Sequence, residues 1–249
     1  MTVPPVPVPG SAAEASATTS AASEMTPPVP LAGFAPEEFQ ARRRTLRQSC
    51  PAGILLIRGA TEEEVAKPCV FQQNSAFFYL TGVETPGAFL VMLPEGLPAG
   101  AGLRNLPANV RELLFLPARN PQTELWMGPR LGPGEETEKR TGIEKVMDAG
   151  GLWNALTAWL RRDPVVVTVT PYGEQAQTTR EYALMQHIAR LAPAVQFRDI
   201  APCAAQLRLL KSPAEIERIT QAIAITAEGQ KAARELIASG AGRYEYEVE

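Results

Sequence analysis

Short apolar runs closed by glycine or proline alternate along this chain with segments whose large apolar residues recur every three or four positions. Ile54–Ile57 lies between Gly53 and Gly59, and Ala88–Leu93 lies between Gly87 and Pro94. Glu112–Leu116 ends at Pro117, Val165–Val169 ends before Pro171, and Val195–Asp199 is a less apolar run of the same kind. Near-continuous apolar runs of this length predict strands covered on both faces. Helices to cover them are predicted from Leu152, Leu156, Trp159 and Leu160, and from Tyr182, Met185, Ile188, Ala189 and Leu191. Strands alternating with such helices predict an α/β sandwich. Order is expected to begin at Phe34–Phe39, and a short helix to follow there. Phe39, Ala41 and Leu46 would form its apolar face, with Arg42-Arg43-Arg44 on the other face, solvated or locally ion-paired.

The stretch Phe71–Gly82 places amide and hydroxyl side chains directly before Phe77-Phe78-Tyr79-Leu80, and Thr81-Gly82 then breaks the block. Aromatic residues favour strands, so this reads as a polar loop feeding a short buried strand. Leu97–Asn109 and Gly128–Gly142 are rich in glycine or proline and read as loops, the latter with a short charged helix over Glu135–Arg140. A capping box is expected at Ser212-Pro213-Ala214-Glu215, opening a helix with Ile216, Ile219, Ile223 and Ala227 on one face and a stop at Gly240 and Gly242. Leu207–Lys211 reads as a connector leading into it, and a further helix is expected to start near Tyr244–Glu247. That gives three units: a disordered Pro/Ala/Ser/Thr-rich tail over residues 1–33, a domain over 34–205, and the connector with the first helices of an incomplete second domain over 206–249.

Composition narrows the classes of partner. With 45% hydrophobic and 20% charged residues, the 249-residue chain is of ordinary globular make-up. A net charge of -3 gives no electrostatic reason to expect nucleic acid or an anionic membrane as partner. No apolar run approaches the roughly 20 residues that span a bilayer. Cys50, Cys69 and Cys203 are widely spaced and form no CxxC pair, which fits free thiols in a reducing compartment. The one histidine, His187, sits among apolar residues of a predicted helix and reads as structural. HExxH, GxSxG, Walker A and GxGxxG motifs are all absent. Glu62-Glu63-Glu64 cannot converge on one metal, because adjacent side chains point apart. The residues by themselves therefore indicate an α/β domain, the first helices of another, and no active site.

Four segments, in order, resemble the aminopeptidase P (Xaa-Pro aminopeptidase) family. Phe39–Arg44 is similar to its opening Phe-x-x-Arg-Arg-Arg helix. Gln73-Asn74-Ser75 through Thr81-Gly82 resembles its Gln-Asn-Ser to Leu-Thr-Gly block. Glu124-Leu125-Trp126-Met127-Gly128-Pro129-Arg130-Leu131-Gly132 resembles its acidic-x-Trp-x-Gly-x-Arg-x-Gly segment. Leu207–Ile216 resembles its Met-Arg-x-x-Lys-Ser-Pro-x-Glu-Ile connector. Gln72 and Ala76 depart from the Arg and Asp often found in the family at those places.

The resemblance implies a creatinase/prolidase-type amino-terminal domain, a mixed sheet between helices in three layers. The first helices of a truncated α+β pita-bread domain would follow. In the family that second domain holds two divalent metals, usually manganese, on Asp, His and Glu ligands. The metals activate a water that attacks the bond before proline and frees the amino-terminal residue. None of those ligand motifs has a counterpart before Glu249, so no catalytic or metal residue carries over, and the chain alone is expected to be inactive and to bind no cofactor. Trp126 is the one residue carried over: it would line the substrate pocket of its own or of a neighbouring subunit, or else pack on the sheet beside Phe115 or Leu125. The resemblance further implies proline-containing peptides as substrates, a homo-oligomer, no nucleic-acid or membrane partner and a cytoplasmic location. The alternatives are a prolidase- or creatinase-type relative, a stand-alone oligomerisation or interaction domain, and an α/β small-molecule binder.

Overall fold

The structure is a computed structural model that describes residues 31–64, 71–97, 106–173 and 175–238. Its strands are β1 (Ile54–Arg58), β2 (Phe89–Met92), β3 (Glu112–Leu116), β4 (Lys145–Asp148), β5 (Val165–Thr168) and β6 (Gln196–Asp199). Its helices are α1 (Pro36–Ser49), α2 (Ser75–Thr81), α3 (Pro121–Met127), α4 (Glu135–Thr141), α5 (Leu152–Leu160), α6 (Arg180–Leu191), α7 (Ala201–Leu209) and α8 (Pro213–Ala238). Single 3-10 turns occur at Glu62–Glu64, Ala149–Gly151 and Ala176–Thr178. The strands form one mixed sheet in the order β4-β3-β2-β1-β5-β6. β1, β2 and β3 run antiparallel to their neighbours among themselves, while β4, β5 and β6 join in parallel.

The apolar runs are buried on both faces because successive side chains alternate between them. Ile54, Leu56, Val91, Leu113, Phe115 and Val166 pack against Leu152, Leu156 and Trp159 of α5 and Leu184 and Ile188 of α6. Leu55, Ile57, Leu90, Met92, Leu114, Leu116 and Val167 pack on the other face with Leu46 of α1, Phe77 and Leu80 of α2, and Ile200. This is the three-layer mixed-sheet fold that the family resemblance implies. β4, whose burial alternates only weakly, completes one edge and has no counterpart among the sequence-predicted strands.

The stretch around Phe77–Leu80 is a helix and not a strand. Asn74 Oδ1 accepts from the amides of Ala76 and Phe77, and Gly82, at φ 66, closes the far end with its N–H on Phe78 O. Caps at both ends outweigh the strand preference of the aromatics. Helical spacing then puts Phe77 and Leu80 together on the sheet. A Cβ at Gly82 would lie 2.5 Å from Phe39 Cζ, so glycine is needed there for space as well as for conformation.

The arginine triplet also departs from expectation. Ala41 and Arg44 are exposed, whereas Arg42 and Arg43 lie on the buried face of α1 with Phe39 and Leu46. Arg43 is fully buried. Its Nε donates to Glu112 Oε2 (2.8 Å) and its Nη atoms donate to the carbonyl oxygens of Leu80 (2.9 Å) and Gly142 (3.0 Å). Burial lowers the pKa of its guanidinium from the ordinary value, and the Glu112 carboxylate opposes that shift.

Leu31 and Phe34 bridge a turn, so residues 31–33, assigned to the tail from sequence, are placed. The connector is largely helical: α7 runs through the expected domain boundary at 205/206, and Leu210-Lys211-Ser212 leads into α8. The capping box forms, with Ser212 N–H on Glu215 Oε2 (2.8 Å) and Glu215 N–H on Ser212 Oγ (3.2 Å). No residue of the 26-residue α8 is buried. The expected tail over residues 1–30, Cys69, the helix stop at Gly240 and Gly242 and the helix near Tyr244–Glu247 lie outside the described residues.

Candidate functional site: an exposed tryptophan arm and the start of the long helix

The arm begins where β3 ends at Pro117. Asn120 caps α3, its Oδ1 accepting from the amides of Gln122 (3.0 Å) and Thr123 (3.4 Å), and Pro121 occupies the first helical position. Arg119 grips Glu124 through two parallel bonds of 2.7 and 2.6 Å. Those bonds hold the Glu124 carboxyl below its usual pKa and raise that of the Arg119 guanidinium. Beyond the helix, Arg130 pairs with Glu62 at 2.5 Å, and Thr85 Oγ1 donates to Leu131 O at 3.2 Å. The Arg119–Glu124 pair thus stiffens the arm from within, and Arg130 and Leu131 tie its far end to the body of the domain.

What the braces hold out is apolar. Leu125, Trp126 and Met127 are 80%, 84% and 60% exposed, and no residue of α3 is buried. Trp126 therefore does not pack on the sheet beside Phe115, whose place is in the core under α5. Two open grooves flank the arm. One, of about 430 Å³, is lined by Thr61, Glu62, Pro117, Arg119, Glu124 and Arg130. The other, of about 790 Å³, includes Phe71, Glu84, Met127, Pro129, Pro133 and Arg140.

A second feature stands at the start of α8. The Arg42 guanidinium lies 4.2 Å from the Tyr79 ring centroid, 4.7 Å from that of Phe34 and 5.3 Å from that of Phe39. It donates to Tyr79 O (3.0 Å) and Glu38 Oε1 (3.1 Å) and pairs with Glu215 Oε1 at 3.4 Å. Glu215 thus caps α8 with one oxygen and ties it to α1 with the other. Arg218 adds a bond to Gly33 O (2.6 Å), and Tyr79 OH one to Leu207 O (3.5 Å). Burial, and next the Glu215 charge, push the Tyr79 phenol pKa upward. From this junction α8 carries Ile216, Ile219 and Ile223 outward, 54%, 46% and 62% exposed.

Sequence reasoning missed Arg42 and Arg43. A signal existed: with Phe39 and Leu46 they occupy positions i, i+3, i+4 and i+7 of one helix face. Other candidates are dispersed. Glu62 faces Arg130 and Glu63 faces Arg180. His187 lies on α6 with its ring centroid 4.4 Å from that of Trp153, the two planes at 72°, and its Nε2 buried without a partner. Among the described residues, no three His, Cys, Asp or Glu side chains could together hold a metal ion.

Residues 39–167, just over half of the chain, match the family model of the aminopeptidase P N-terminal domain. The chain is 28% identical over 222 residues to the Xaa-Pro aminopeptidase of Haemophilus influenzae, covering 88% of this chain and 47% of that protein. It is 30% identical over 161 residues to human Xaa-Pro aminopeptidase 3, covering 65% of this chain and 30% of that one. Aminopeptidase P from E. coli, solved with the inhibitor Pro-Leu, superposes with a TM-score of 0.60 at 27% identity, over 80% of this chain and 44% of that one. The chain spans less than half the length of each of these relatives.

Proposed function

Because the chain belongs to the aminopeptidase P N-terminal domain family, we propose that it is the amino-terminal portion of a manganese-dependent Xaa-Pro aminopeptidase. Such an enzyme releases the first residue of a peptide whose second residue is proline. The observation that carries the role of this portion is the braced arm, which presents Trp126 at 84% exposure. An indole held out in this way offers a flat apolar face on which a proline ring stacks. In this reading Trp126 walls a substrate pocket that another part of the enzyme completes, either in the same subunit or in a neighbouring one of a homo-oligomer.

The described residues do not fit the two-metal site, since no three potential ligands converge. No hydrolytic step is assigned to them. Metal and catalysis belong, in this proposal, to a pita-bread domain of which α8 is the first helix. The exposed Ile216, Ile219 and Ile223 support this, because a helix stripe of that kind is ordinarily covered. A cytoplasmic setting is part of the same proposal. Among the described residues no helix is long and apolar enough to cross a membrane.

A second reading, a stand-alone oligomerisation domain, draws on the sheet's own core on both faces. Sedimentation of the purified chain separates the two: stable self-association without peptidase activity in any longer form favours the second. The first is tested by incubating the chain with manganese and an Xaa-Pro peptide. No release of the amino-terminal residue is expected, and turnover by these residues would overturn the assignment of catalysis to another domain.

A further inference from the structure

Two cysteines meet where α1 ends and α7 begins. Cys50 caps α1, its N–H on Leu46 O at 3.0 Å. Cys203 lies in the first turn of α7, and its Sγ donates to Ser49 O at 3.5 Å, so its thiol sits against the peptide unit that leads into Cys50. The Cys50 thiol in turn interacts with the Cys203 thiol. Both side chains are half-buried against the cluster of Leu46, Leu55, Val167 and Ile200, and neither is in a disulfide. Residues far apart in the chain are thus held with their sulfurs as neighbours by packing that exists for other reasons.

We propose that Cys50 and Cys203 form a dithiol pair that a small-molecule disulfide oxidises to an intramolecular bridge, stapling α7 to the end of α1. Cys203 attacks the disulfide as its thiolate. One sulfur of the oxidant leaves as a thiolate and the other remains in a mixed disulfide on Cys203. Cys50 then loses its proton and attacks Cys203 Sγ, and the second sulfur of the oxidant leaves. The protein gives up two protons and two electrons, and the oxidant becomes two thiols, so the exchange balances.

The two steps differ in rate for a physical reason. Burial, with the neighbouring Cys203 thiol adding to it, pushes the Cys50 thiol up to about 12, so thiolate is scarce at neutral pH. Closure therefore quickens about tenfold for each pH unit while the mixed disulfide waits. The consequence lies downstream. α7 leads through Leu210-Lys211-Ser212 directly into α8, whose first turn is otherwise tied to α1 by the Arg42–Glu215 pair. The bridge adds a covalent tie before that pair and fixes the root from which α8 projects. This inference does not rest on the peptidase reading.

The test uses the full chain, reduced, freed of reductant and incubated with oxidised glutathione. Remaining thiols are then alkylated and the peptides mapped by mass. The expected result is a Cys50–Cys203 crosslink that dithiothreitol reverses, forms about tenfold faster at one pH unit higher, and leaves Cys69 alkylated. Cys50→Ser should leave a stable glutathione adduct on Cys203, and Cys69→Ser should leave the crosslink intact. The proposal fails if Cys50 and Cys203 are both recovered alkylated, if glutathione stays on Cys203 of the unmodified sequence without closure, or if the crosslink maps to Cys69. The peptide map of the unmodified chain decides even if a serine variant does not fold.

Discussion

Replacing Arg43 by methionine removes a charge that four chain segments share. Its guanidinium bonds Glu112 at the start of β3, the last turn of α2 through Leu80 O, and the end of α4 through Thr141 O and Gly142 O. Glu112, 6% exposed, would keep only Arg47, 3.4 Å from its other oxygen. Breaking a buried pair from one side costs about 3–5 kcal/mol, because a buried charge loses its partner. Gly142 O keeps Gln40 Nε2 at 3.1 Å, each other carbonyl left dry adds about 1 kcal/mol, and the residual Arg47 contact offsets part of the total, so about 4 kcal/mol is expected. Domains of this kind are stable by about 5–15 kcal/mol, so the variant should fold but unfold early. With a urea slope of about 2–3 kcal/mol/M, the midpoint should fall by about 1.5 M. Arg44→Met on the exposed side of α1 is the control and should change little. Arg43→Met combined with Glu112→Leu should recover the part of the loss that comes from the unpaired Glu112 carboxylate, since an apolar pair replaces a buried ion pair at little cost. An Arg43→Met midpoint no lower than that of Arg44→Met would refute the reasoning.

Two further perturbations probe the elements that frame the site. Gly82→Ala forces a side chain into a left-handed position and toward the Phe39 ring, and should lower stability by more than about 1 kcal/mol; a thermal midpoint equal to the parent's would show that α2 ends otherwise. Glu215→Ala removes both the capping oxygen of α8 and its tie to Arg42. Amide exchange in the first turns of α8 should quicken about five- to tenfold while the strands are unaffected, and unchanged protection there would count against the junction.

The centre of the sheet was legible because β1, β2, β3 and β5 carry little but apolar residues, and because alternation assigns Leu55 and Leu56 to opposite faces whatever covers them. The capping box at Ser212 was legible for a local reason, since both of its bonds lie within four residues. Where the outcome depended on distant partners, composition misled. Phe77–Leu80 has the residues of a strand, but Asn74 and Gly82 decide its conformation from outside the apolar block. Arg42 and Arg43 look like a solvated cluster until Glu112, Glu215 and the Tyr79 ring arrive from elsewhere in the chain. β4 carries one buried residue, Val146, and takes its identity from pairing with β3. The Trp126 segment was recognisable only by resemblance. It is flanked by the Arg119–Glu124 pair within the arm and by the Arg130–Glu62 pair, whose partners lie 68 residues apart.

The most direct test of the proposed function is a chimera in which this chain, up to the first turns of α8, replaces the matching part of the E. coli Xaa-Pro aminopeptidase. The folded, manganese-loaded chimera should release the amino-terminal residue of an Xaa-Pro peptide. Trp126→Ala in it should raise KM while leaving metal content unchanged. A folded and metal-loaded chimera that cleaves no such peptide, or whose kinetics ignore Trp126→Ala, would contradict the account.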